Sequence, residues 1–103
     1  MSAMRNMTKA DALLSARVRI PQGVVYRSFV RETVILNLET GLYHGVNPTG
    51  GRMLETLERV GSVREAASAL AREYGRPLAE IQRDVCEFCE ALLERRLLVL
   101  DPS

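Results

Sequence analysis

Between Glu39 and Gly50 the spacing of apolar residues changes from every second position to every third or fourth. Side chains repeat their faces every two residues in a strand and about every 3.6 in a helix, so a chain with this switch places a sheet first and helices after it. The segment Glu39-Thr40-Gly41-Leu42-Tyr43-His44-Gly45-Val46-Asn47-Pro48-Thr49-Gly50 is both a strand and the hinge between the two layers.

Upstream, Val24 to Val30 is rich in β-branched and aromatic residues, and Thr33 to Leu38 is again strand-like. Arg31-Glu32 leaves room only for a tight turn between them. The alternation at Arg17 to Ile20, cut off by Pro21-Gln22-Gly23, reads as a short edge segment or an entry loop. Glu39-Thr40-Gly41 is a turn signal, after which Leu42 to Val46 returns as a third strand, so the expected product is a three-stranded antiparallel meander. On the second strand Val34, Leu36 and Leu38 share one face, taken as the core side, and Ile35 and Asn37 the other. On the third strand Leu42, His44 and Val46 lie opposite Tyr43 and Gly45. If spatial order follows chain order, that strand is an edge with unpaired backbone groups.

Downstream, Asn47-Pro48 starts a helix: Asn caps free N–H groups and Pro suits the first helical position. Met53, Leu54, Leu57 and Val60 share one side of it, and Gly61 ends it. Ser62-Val63-Arg64-Glu65 has the capping-box pattern for a second helix, with a stripe of small residues and a stop at Gly75. Pro77 opens a longer third helix whose core seam is Leu78, Ile81, Val85, Phe88 and Leu92. One step round it run Gln82, Cys86, Cys89 and Leu93, which widens the stripe beyond what a single seam needs and implies a second faced surface. Leu97 to Leu100 adds a brief extended piece.

At 103 residues the chain has room for one domain, expected over 17–103, preceded by a flexible arm over 1–16 with one helical turn around Asp11 to Leu14. With 14 basic and 13 acidic residues the net charge of +1 implies no general attraction to nucleic acid or anionic lipid. No segment has the apolar run of a secretory signal or a membrane span, so no membrane partner is expected and a cytoplasmic location is the default. The C-x-x-C of Cys86 and Cys89 falls in mid-helix, away from the helix N-terminus that activates a thiol, and His44 is the lone histidine, so no metal site or redox centre is expected. No nucleophile and base, no paired carboxylates and no phosphate loop stand out, so neither catalysis nor a cofactor is expected.

Sheet followed by three helices also describes a winged helix-turn-helix, which makes a DNA-binding protein the alternative function. The exposed side of the third helix carries Glu80, Asp84, Glu87, Glu90 and Glu94 against Arg83, and would set carboxylates against phosphates. Peptide capture fits better: an extended peptide adds to the third strand by backbone hydrogen bonds while its side chains enter the groove against the third helix.

These residues resemble the PqqD-like family of leader-peptide-binding domains, the RiPP recognition elements of ribosomal peptide modification, over Ile20 to Leu100. The resemblance is carried by Val34-Ile35-Leu36-Asn37-Leu38-Glu39-Thr40-Gly41-Leu42-Tyr43, Val46-Asn47-Pro48-Thr49-Gly50, the Ser62 to Glu65 cap, and Asp84-Val85 with Phe88, Leu92 and Leu97-Leu98. It implies an α+β, winged helix-turn-helix-like fold, three antiparallel strands and then three helices, with the leader lying as a fourth strand between the third strand and the third helix. Leu42, Tyr43, His44, Gly45 and Val46 would form the strand edge; Gln82, Cys86, Cys89, Glu90 and Leu93, beside the seam, are the expected opposite wall. The implied partners are a precursor peptide and a modifying enzyme such as a radical SAM protein, a leader peptidase or a cyclase. The chain departs from the family at Val46, where Leu is frequent, at Cys89, where Leu is commoner, and at Arg96, where Gly is commoner.

Overall fold

The computed structural model describes residues 8–102. In chain order the elements are α1 (Lys9–Leu14), β1 (Val18–Arg19), β2 (Val24–Ser28), β3 (Thr33–Asn37), β4 (Tyr43–Val46), α2 (Pro48–Val60), α3 (Val63–Tyr74), α4 (Leu78–Glu94) and β5 (Val99–Leu100). The main sheet is the antiparallel meander β2-β3-β4, and β1 pairs separately with β5, tying the entry segment to the C-terminal piece. The class is α+β and winged helix-turn-helix-like, as the order of periodicities requires. No helix among the described residues is long and apolar enough to cross a membrane.

Local chemistry accounts for the helix boundaries. Asn47 Oδ1 accepts from the Gly50 N–H at 2.8 Å with Pro48 behind it, and Ser62 Oγ accepts from the Glu65 N–H at 3.2 Å. Gly61 and Gly75 close α2 and α3 with φ of 75° and 63°, a left-handed turn that a Cβ would strain. The end of α4 has the same geometry without the glycine: Arg96 adopts φ 61°, and the Leu97 N–H reaches back to the Leu92 carbonyl at 2.9 Å. A glycine would take up this turn without strain, so Arg96→Gly is expected to stabilise the fold by about 1 kcal/mol, read as a rise of several degrees in the thermal midpoint. A fall would mean that the arginine side chain contributes more than its backbone strain costs.

The helices enclose a core in which Leu54, Leu57, Val63, Leu70, Val85 and Cys89 are buried completely or nearly so. The sheet meets it with Val24, Thr33 and Ile35, not with the face expected for β3. Ile35 is 1% exposed, while Val34 and Leu36 lie on the opposite face and Leu38 is largely in the open. Alternation favours Val34, Leu36 and Leu38 as the more apolar parity, yet the buried parity is that of Thr33 and Ile35. One tertiary and one local contact account for this: Thr33 sits under the side-chain-free backbone of Gly51, with its hydroxyl bonded to Ser28 Oγ at 2.9 Å, and Asn37 uses its side chain to hold the next turn, accepting from the Glu39 and Thr40 N–H groups.

Where an arm with one helical turn was expected, the chain forms α1, capped in both directions by Thr8 and Asp11. Its Leu13 joins the core, its Ala10 carbonyl receives Cys86 Sγ at 3.7 Å, and Lys9 pairs with Glu90 at 3.1 Å. Residues 1–7 of that arm lie outside the described residues.

Candidate functional site

Among the described residues strand β4 is bonded on one side only, because β3 is its sole neighbour there and the order ends with it. The Asn37 N–H donates to the Leu42 carbonyl at 3.0 Å, and the register pairs Ile35 with His44 and Thr33 with Val46. Hydrogen-bonded and non-bonded pairs alternate in an antiparallel ladder, so His44 and Val46 spend their backbone groups on β3, while Tyr43 and Gly45 turn theirs to the open side. The edge strand therefore presents two N–H and C=O pairs to an incoming strand. The side chains split the other way: His44 and Val46 are half-buried toward the helices, while Tyr43 is 71% exposed on the outer face beside Leu36. Leu42, just before the strand, is also exposed.

Which flank of α4 faces this edge is decided by Gly50. A Cβ on Gly50 would stand 3.2 Å from both Phe88 Cε1 and Val46 Cβ, so α2, α4 and β4 converge there, and the close approach depends on a missing side chain. Phe88 is half-buried. At about 100° per residue, Asp84, Ala91 and Arg95 share its flank of the helix. Between Phe88 and the opposite flank lies the seam of Ile81, Val85, Cys89 and Leu92, all buried.

The expected wall lies on that opposite flank. Gln82, Cys86 and Glu90 line a cleft of about 390 Å³ whose other side is α1, with Ala10, Leu13 and Leu14 facing them. Cys89 is fully buried and Leu93 packs against the core. The structure thus gathers Leu42 to Val46 on one edge, and places Gln82, Cys86 and Glu90 on the cleft shared with α1, Cys89 in the core and Leu93 against it. The extra width of the α4 stripe does face a second surface, but that surface is α1. Phe88 was hidden among the core-seam residues; the available signal was a large aromatic at the margin of the seam together with the small pair Gly50-Gly51 at the start of α2.

The thiols are not poised for chemistry. Burial pushes Cys89 up to about 12, and burial, with Asp11 and Glu90 nearby, also raises Cys86, whereas a reactive C-x-x-C needs a lowered value. No group of three or more His, Cys, Asp or Glu suited to a metal ion occurs among the described residues.

A free sheet edge facing a helix flank across a shared apolar contact defines a winged-helix-like binding module whose ligand-sized feature is a strand's edge. The chain belongs to the PqqD family: residues 32–98 match the family model described as coenzyme PQQ synthesis protein D. Among solved structures it is similar to TbiB1 in complex with the TbiA(beta) leader peptide, at 30% identity and a TM-score of 0.70, covering 82% of this chain and 96% of that one. It also shares its fold with a lasso peptide synthetase B1 complexed with the leader peptide, at 21% identity and a TM-score of 0.72, covering 82% of this chain and 99% of that one. No curated protein matches the chain.

Proposed function

We propose that this chain is a non-catalytic recognition module that binds the leader of a ribosomally made precursor peptide as an added strand on β4 and presents it to a modifying enzyme. The observation that carries the reading is the pair of outward backbone groups at Tyr43 and Gly45 beside the Phe88 flank of α4. Strand addition supplies affinity through the backbone and leaves selection to side chains entering the groove. Both similar structures are complexes with leader peptides, which agrees with this chemistry. Holding the precursor beside its enzyme raises the effective concentration of substrate without any chemistry from the module itself. A radical SAM protein, a leader peptidase or a cyclase would each fit as the recipient. Duplex DNA suits the surface less, since Glu80, Glu87 and Glu94 line the outward side of α4 and would meet phosphates.

Titration with a cognate leader peptide is expected to shift the amides of Leu42 to Val46. Phe88→Ala should weaken that leader by about tenfold, the loss typical of a central apolar anchor, whereas Glu90→Gln on the α1 side should leave affinity unchanged. Shifts centred on Gln82, Cys86 and Glu90 with β4 silent would move the site to the α1 cleft and sink this assignment.

A further inference from the structure

An apolar cavity lies close to the Val46 end of β4. Beyond the contact of Val46, Gly50 and Phe88, the next residue back on α2, Thr49, and the next turn back on α4, Asp84, form the rim of a cavity of about 110 Å³. Tyr74, at the end of α3, completes the rim, and all three rim residues are exposed. The floor is Met53, Leu70 and Ile81, each buried. The cavity therefore opens outward close to the Val46 end of β4, within reach of a peptide that continues past that strand.

Its chemistry is one-sided. The floor is aliphatic and thioether, and no buried side-chain nitrogen or oxygen among the described residues lacks a partner, so a polar group entering it would give up water for nothing. Charge is confined to the mouth: Asp84 has no hydrogen-bond or ion-pair partner among the described residues, and Arg76 is held by Glu80. Size narrows the choice further. Benzene fits an apolar cavity of about 150 Å³, so a space smaller than that suits a branched or linear aliphatic side chain better than an aromatic ring.

We propose that this cavity is a selectivity pocket: it takes one Leu, Ile, Val or Met side chain from the part of a bound peptide that runs past the Val46 end of β4. The proposal rests on the edge-strand reading above and adds to it the position and class of the residue selected. Thr49 and Tyr74 set the width of the mouth, and Met53, Leu70 and Ile81 supply the apolar floor. Asp84 is placed to receive a backbone N–H of the peptide as it crosses the rim.

The test is selection from a library of random linear peptides, long enough to span β4 and the cavity, by the wild-type chain and by Thr49→Phe, Tyr74→Ala and Tyr43→Pro. Thr49 and Tyr74 are exposed, so each variant is expected to keep a near-wild-type thermal midpoint, and either one alone decides the question. The wild-type chain should enrich peptides with an aliphatic residue at one fixed position. Tyr74→Ala should admit Phe or Tyr there, and Thr49→Phe should erase the preference and weaken the aliphatic peptides by about tenfold or more, the effect of leaving one such side chain in water. An unchanged preference in both variants, with binding weakened only by Tyr43→Pro, would overturn the pocket and leave the edge-strand reading standing. Failure of the wild-type chain to enrich any peptide in a Tyr43-dependent manner would remove that reading and the pocket with it.

Discussion

Replacing Tyr43 by proline is expected to cost about tenfold in leader affinity while leaving the fold nearly as stable as before. The Tyr43 N–H points away from β3, so proline removes a donor that the sheet does not use, and its ring occupies the space into which an added strand would move. The side chain is 71% exposed, so little core packing is lost. Tyr43→Ala separates the two contributions, since it removes the ring of Tyr43 and keeps the donor. His44→Pro is the opposite control: its N–H belongs to the ladder with β3, and its loss should destabilise the sheet itself. If Tyr43→Pro binds the leader as well as Tyr43→Ala does, strand addition at this residue is wrong.

The largest effect on stability is expected at Ile35. Truncation to alanine should cost about 2–4 kcal/mol, because the side chain is 1% exposed and its removal leaves a cavity between the sheet and the helices. The matching change at Leu36, one residue on and on the other face, should cost about 1 kcal/mol or less. Urea midpoints of the two variants measure the difference directly. For a domain whose total stability is on the order of 5–15 kcal/mol, the first loss is large enough to be seen beyond error. The reverse order would restore Val34, Leu36 and Leu38 as the core face of β3.

The pairing of these two predictions reflects how the outer sheet face is built. Leu36 pairs with Val25 on one side and Tyr43 on the other, so an apolar row crosses the open face of the meander. Antiparallel sheets with one solvated face ordinarily put polar residues there. The sequence expectation followed that rule and assigned the more apolar parity of β3 to the core. It met a strand whose buried positions are filled by one isoleucine and one threonine, with the asparagine of the same parity diverted to a turn.

The helix boundaries tell the other half of the story. Asn47-Pro48, Ser62 and Gly61 act through bonds and backbone angles within a few residues of themselves, so their consequences are readable wherever they occur. Arg96 acts equally locally, adopting the left-handed φ of 61° at the end of α4.

Strand and helix order and the cap positions follow from periodicity and breakers, which are properties of neighbouring residues. The occupied face of β3 and the working flank of α4 do not. Each of these elements is apolar on more than one side, and what selects among the sides is a contact between residues far apart in the chain. Thr33 must fit beneath Gly51 and Phe88 must meet Gly50, while Leu13 of α1 covers the flank that carries Cys86. A hydrophobic stripe records that something packs there, and only the packed chain shows whether the partner is its own first helix or an open groove.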